Sequence, residues 1–313
     1  MNSRCGEARV RRPRQSMMAI AAIAALALGG CATNDPLADL QASGTTQSTI
    51  TVGSANFPES EAIAQVYAGA LQSAGRDVRT HTGIGAREAT MGALQDGSIT
   101  LMPEYAGNLL QYLDPQAPVA TVDIVMSGLQ SALPATLRAL APAPAEDTDR
   151  FVVTKERAET DGLRQIGDLS KVEGVKVGAA PEFAQRPYGI PGLKSVYGVE
   201  ATLVPINDGG GPSTVKALRD GDVDVADLYS TSSALASDDL VVLEDPLGMV
   251  SPQNVVPIIV AEQATSDVVD LLDRVSAQLT TEDLMEMNTR MDRDKASAQQ
   301  VAADWLRSRG FAK

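Results

Sequence analysis

From Thr49 onward, short β-branched apolar runs alternate with longer stretches in which apolar residues return every three or four positions. The first pattern predicts strands and the second predicts amphipathic helices. Thr49–Val52 reads as a strand, followed by a helix over Glu59–Ala74 with Ile63, Val66, Tyr67, Ala70 and Leu71 on one face. Asp77–His81 predicts a second strand, Arg87–Asp96 a helix, Ile99–Met102 a third strand, and Tyr105–Tyr112 a helix entered after Pro103. A middle block keeps the rhythm. Strands are expected at Phe151–Thr154, Val175–Gly178, Thr202–Pro205, Val223–Leu228 and Leu240–Leu243, with helices at Leu193–Tyr197 and Thr214–Asp220. Val255–Val260 returns as an apolar extended run. Three helical periods then close the chain at Asp267–Leu279, Thr281–Met291 and Ala296–Arg309, with Thr280 or Thr281 and Asp283 as an N-cap signal.

Strands alternating with helices predict α/β lobes built on mostly parallel sheets. The Pro/Ala-rich stretch Ala141–Asp147 and the segment near Ser251–Pro257 are the two places where the chain is expected to change lobe. Lobe one then comprises residues 49–148 and 257–313, and lobe two residues 149–256. Two crossovers make a hinge, and the cleft between lobes is the expected ligand site.

Ahead of Thr49 the pattern changes. Arg9, Arg11, Arg12 and Arg14 precede the uncharged apolar run Met17–Gly30, which is too short to cross a hydrocarbon core of roughly 30 Å as a helix. A basic start, a short apolar run and small residues before a cleavage point predict a signal peptide over residues 1–30. Cys31, directly after Leu28-Gly29-Gly30, resembles the cysteine of the bacterial lipobox, which implies cleavage before it and acylation of it. Residues 31–48 are rich in Asp, Ser, Thr and Gln and are expected as the lipidated cysteine and a flexible tether. The expected location is the outer face of the cell membrane, held there by lipid.

Removing that leader changes the charge. It takes five arginines and one glutamate from totals of 26 basic and 40 acidic residues, leaving a net charge of −18. Such a surface repels nucleic acid. Cys5 leaves with the leader and lipid consumes Cys31, so the core alone must hold the mature chain together. His81 is the lone histidine, expected as a polar residue at a strand end. Without histidine or cysteine partners it makes neither a zinc site nor a Ser-His-Asp triad, and no G-x-S-x-G is present. No catalytic residue, cofactor or metal is expected, and a secreted hydrolase is disfavoured.

The loops at strand ends carry the sharper signal. In order they read Gly53-Ser54-Ala55-Asn56-Phe57-Pro58-Glu59, Pro103-Glu104-Tyr105-Ala106-Gly107-Asn108, Glu182-Phe183-Ala184-Gln185-Arg186 with Tyr188-Gly189, and Tyr229-Ser230-Thr231. Together, from about Thr49 to Phe311, they resemble the glycine betaine/choline/carnitine-binding proteins of osmoprotectant ABC importers. The resemblance implies a two-lobe type II periplasmic-binding-protein fold with two hinge crossovers. It also implies partnership with ABC permease and ATPase subunits, and a monomer that binds a small osmolyte. A trimethylammonium head has no hydrogen to donate, so shape and electron-rich ring faces must recognise it. A ligand carboxylate suits a guanidinium fork.

By that resemblance Tyr105 and Tyr229 match cage tyrosines, Phe151 falls at a third aromatic position, and Arg186 matches the carboxylate-binding arginine. Asn56, Asn108 and Gln253 complete the candidate set. The chain departs from the family pattern where Ala55 replaces a lysine, Gln253 a fourth aromatic and Asn108 a threonine, and where Thr231-Ser232 follows Tyr229 in place of Thr-Asp. An alternative is therefore a binding protein of the same fold for a polyol, an amino-acid derivative or an aromatic compound. Gly209-Gly210-Gly211-Pro212 lacks the G-K-[ST] ending of a nucleotide loop and is expected as a tight turn. Tyr188 and Tyr197 are expected as structural residues, and Trp305 as a core anchor of lobe one.

Overall fold

The computed structural model describes residues 48–117 and 121–312. The expected signal peptide, Cys31 and the tether up to residue 47 lie outside the described residues. The first run of elements is β1 (Ile50–Gly53), α1 (Pro58–Ser73), β2 (Val78–His81), α2 (Arg87–Asp96), β3 (Leu101–Tyr105), α3 (Ala106–Leu113), α4 (Val122–Ala132) and β4 (Leu137–Ala139). The chain then enters β5 (Asp149–Thr154), α5 (Lys155–Asp161), β6 (Val175–Ala179), α6 (Ile190–Tyr197), β7 (Ala201–Pro205), α7 (Pro212–Asp220), β8 (Val225–Tyr229) and β9 (Leu240–Val242). It returns through β10 (Val255–Val260) and closes on α8 (Ser266–Ser276), α9 (Thr281–Arg293) and α10 (Ala298–Ser308).

Two five-stranded sheets result, ordered β2-β1-β3-β10-β4 and β7-β6-β8-β5-β9. They share one design. Three strands run parallel, and the fourth in order is antiparallel to both neighbours. Four of the five strands in each sheet point the same way, as mostly parallel sheets require, and the one that runs against them owes its direction to the crossovers. Each antiparallel strand, β5 or β10, is the first to enter its lobe from the other one. It starts where β8 or β3 ends, with Asp149 opposite Tyr229 and Val255 opposite Tyr105. Entering at the cleft, it has to run away from it. The ends of β3 and β8 and the starts of β5 and β10 therefore converge on one region.

The crossover segments pair with each other. Ala143 N donates to Val255 O, Val255 N to Ala145 O, and Asp147 N to Gln253 O, at 2.8, 2.9 and 3.1 Å. Gly107 N donates to Pro252 O at 3.1 Å, and a Cβ on Gly107 would stand 2.5 Å from that oxygen and from Ser251 Cβ. Only glycine lets α3 start this close to the hinge.

In lobe one, α1 is buried on more than the predicted stripe. Ala62, Ala64 and Ala68 are as inaccessible as Ile63 and Tyr67, because the C-terminal helices α8 and α10 join the same core. Trp305 sits in that core, stacked on Phe311. The predicted cap at α9 forms as a reciprocal pair: Asp283 N donates to Thr280 Oγ1, and Thr280 N donates to the Asp283 carboxylate. His81 is exposed at the end of β2.

Candidate functional site

Between the two sheets lies a cavity of about 90 Å³, room for a small solute. Its walls come from the loop after β1, the start of α2, the end of β3, the hinge residues Asp147 and Asp149, and the lobe-two loops after β6, β7 and β8. Three rings form one wall. Phe57 stacks on Tyr105 at 6.1 Å and tilts against Tyr229 at 5.7 Å, so lobe-one and lobe-two aromatics meet there. A lobe-two turn closes over them. Gly209 has φ of 63°, and a Cβ there would lie 2.8 Å from Phe57 Cβ.

The Gly209–Gly211 run is thus a turn into α7. Asp208 already fills the N-terminus of that helix, accepting from the backbone N–H groups of Gly211, Ser213 and Thr214.

Tyr105, at the junction of β3 and α3, donates from its hydroxyl to Glu59 Oε1 at 2.6 Å. Glu59 is a junction between lobes: its Oε2 lies 2.5 Å from Thr231 Oγ1 and 2.6 Å from Asn288 Nδ2. Burial, and then the Glu59 charge, push the Tyr105 phenol well above its usual range. Burial and Asp227 do the same to Tyr229. Both tyrosines stay neutral and keep electron-rich faces.

The other predicted residues divide. Asn108 lines the cavity, donating from Nδ2 to Asp149 Oδ2 at 2.9 Å. Asn56 lines it too, with Nδ2 3.4 Å from Asn207 Oδ1 across the cleft. Arg186 reaches the wall, but its fork is engaged: Nη1 and Nη2 donate to Glu88 of α2 at 2.7 and 3.1 Å, and its guanidinium lies over the Tyr112 ring. That pair bridges the lobes and, against the upward push of burial, holds Glu88 below the usual carboxylate range.

Phe151 and Gln253 stand outside the wall. Phe151, on β5, points into the lobe-two core against Phe183, with ring centroids 5.9 Å apart. Gln253 is fully buried in the hinge, where it grips Asn108 twice: Oε1 accepts from Asn108 N at 3.0 Å, and Nε2 donates to Asn108 Oδ1 at 2.6 Å. It sets Asn108 and is one layer removed from the cavity.

Several wall residues escaped the sequence reading. Phe57 and Tyr188 sit in the loop motifs and were visible there. Glu182 opens one of those motifs too, whereas the acids Asp147, Asp149 and Asp227 were not singled out. Asp227 left a trace, since an aspartate inside the apolar strand Val225–Tyr229 is out of character for a strand. Burial raises Asp147, Asp149 and Asp227, and the neighbouring acids Glu59 and Asp149 push Asp147 and Asp227 further up. Arg87, buried with Glu104, keeps its charge through a bidentate pair at 2.9–3.1 Å. Among the described residues, no group of three or more His, Cys, Asp or Glu side chains is placed to hold a metal ion.

A family profile described as the substrate-binding domain of ABC-type glycine betaine transport systems matches residues 48–308. Over 283 residues the chain is 27% identical to the glycine betaine-binding protein YehZ of Escherichia coli, covering 85% of this chain and 92% of that one. It is 28% identical over 286 residues to a glycine-betaine-binding protein of Pseudomonas aeruginosa, with 86% and 91% covered. Among solved structures, a glycine betaine/carnitine/choline ABC transporter protein superimposes with a TM-score of 0.66 at 21% identity, covering 84% of this chain and 99% of that one.

Proposed function

The chain belongs to the family of substrate-binding domains of ABC-type glycine betaine transport systems, and from that premise we propose that it is the extracytoplasmic receptor of an ABC importer for a quaternary ammonium osmolyte. The observation that carries this is the ring wall of Phe57, Tyr105 and Tyr229, drawn from both sides of a cavity whose remaining charge is acidic. A cation without N–H groups is held by ring faces once water is excluded, each contact contributing about 0.5–2 kcal/mol.

Residues 49–148 with 257–313 act as one lobe and residues 149–256 as the other, swinging about the paired crossover segments. An open form admits the solute, and closure completes the wall. Contacts then span the cleft, among them Arg186 to Glu88, Thr231 to Glu59, and Asn56 to Asn207. Because they form only when the lobes meet, ligand and latch favour the same state. Tyr105, Tyr229, Asn56 and Asn108 touch the solute, Arg186 bolts the cleft, and Phe151 and Gln253 support the wall from behind. The closed monomer delivers its load to permease and ATPase subunits. A lipid on Cys31 keeps it at the outer face of the membrane.

Calorimetry on the purified mature protein with glycine betaine, choline and carnitine tests this. At least one should bind, and Tyr105→Ala and Tyr229→Ala should each weaken it by about tenfold or more. Unchanged affinity in both variants would remove the ring wall from the mechanism.

A further inference from the structure

Two guanidiniums reach the cavity, and each already holds a carboxylate. Arg87 is bidentate to Glu104, and Arg186 is bidentate to Glu88. Both pairs sum to zero charge. What remains in the wall is negative: Asp147, Asp149, Asp227 and Glu182, with neither a lysine nor a third arginine lining the cavity.

Asp149 and Asp227 come from the neighbouring strands β5 and β8, and both line the cavity. Burial raises both carboxyls above the ordinary range. One oxygen of the pair is unaccounted for. Asp227 is 5% exposed and lines the cavity, yet its Oδ1 has no hydrogen-bond partner among the described residues. Buried acceptors are almost always paired. A solute with a donor would complete this one; a trimethylammonium head and a carboxylate have none to offer. A zwitterion also brings a negative charge toward acids that no free guanidinium offsets.

Resting on the proposed function, we infer that Asp227, beside Asp149 in the cavity wall, is the specificity-determining residue of the cleft: it selects quaternary ammonium solutes that carry net positive charge and a hydroxyl donor over zwitterions that carry neither. The ring wall recognises the head group, and Asp227 Oδ1 accepts the hydroxyl. The class is that of choline rather than of glycine betaine.

Three probes separate charge from donor: choline, its methyl ether and glycine betaine. Calorimetry on the full mature chain should show choline about tenfold or more tighter than glycine betaine, with the ether between them. Asp227→Asn should weaken choline by about tenfold while leaving glycine betaine within about threefold. The ordering on the unaltered protein needs no variant and stands even if Asp227→Asn fails to fold. Glycine betaine binding as tightly as choline would overturn the inference and leave the proposed function standing. Equal losses for all three probes in Asp227→Asn would also overturn it, because a purely structural role predicts that result. Refusal of every probe by the unaltered protein would bring down the proposed function, and this inference with it.

Discussion

Asp147, Asp149 and Asp227 hold protons in the folded chain at pH values where the unfolded chain has released them, since burial raises all three. In the unfolded state they titrate near about 3.9. From about pH 4 upward the folded state therefore binds more protons than the unfolded one, and stability falls as pH rises through the folded values. The acids with lowered values, such as Glu88, Asp283 and Asp304, act in the opposite sense, but their effect is complete once pH exceeds the ordinary carboxylate range. The ligand-free protein should therefore melt at a lower temperature at about pH 8 than at about pH 5.5, and Asp227→Asn should flatten that slope. A melting temperature that climbs with pH over this range would show that these carboxyls are ionised throughout. At this scale the sequence was legible where a loop motif spelled the residue, as at Tyr105, Asn108 and Tyr229. It was mute where meaning depends on a partner far along the chain. Nothing in the spacing joins Arg186 to Glu88, 98 positions away, or tells that Phe151 turns its ring inward while Asp149, two residues earlier on the same strand, lines the cavity.

Helix α3 and its approach to the hinge show how elements carry the site. The helix starts directly from β3, so Tyr105 closes the strand and Asn108 falls on the first turn, beside the crossover. Periodicity located this helix within a residue, as it located α2 and β10. It stopped β3 short, because Pro103 reads as a breaker. The proline is tolerated in a ladder where it sits opposite Pro257 of β10, and neither residue has an N–H to lose. The elements that escaped, α4, β4 and α5, are short or lie in stretches where loop residues mask the period. Gly107 fixes the helix-to-hinge distance. Replacing it with alanine places a methyl group 2.5 Å from Pro252 O, so α3 or the crossover has to move. Gly107→Ala should cost about 1–3 kcal/mol by chemical denaturation and weaken solute binding, since Asn108 moves with its helix. A variant of unchanged stability would mean that the crossover yields freely at this point.

Across the whole molecule, closure and selection are carried by different atoms, and that separates their signatures. Thr231 Oγ1 lies 2.5 Å from Glu59 Oε2, 2.9 Å from Asp147 Oδ1 and 3.0 Å from Asn288 Nδ2, so one hydroxyl joins the lobe-two loop after β8 to α1, the hinge and α9. It does not line the cavity between the sheets, whereas Asp227 does. Thr231→Val removes that hydroxyl at nearly constant volume and leaves one buried acceptor, on Glu59 or Asp147, short of a donor, at about 1–3 kcal/mol. The loss falls on the closed form, where the lobes meet. Apparent affinity scales with the fraction of protein able to close, so every solute should weaken by the same factor, about tenfold, with ratios between solutes preserved. X-ray scattering on the ligand-free variant should show a larger radius of gyration than the unaltered chain. A change in the choline-to-betaine ratio would mean that Thr231 takes part in recognition, and an unchanged affinity would mean that the cleft closes without it. Two variants on one strand and its loop, Asp227→Asn and Thr231→Val, thus divide the binding free energy into a part that knows which solute is present and a part that knows only whether the lobes have met.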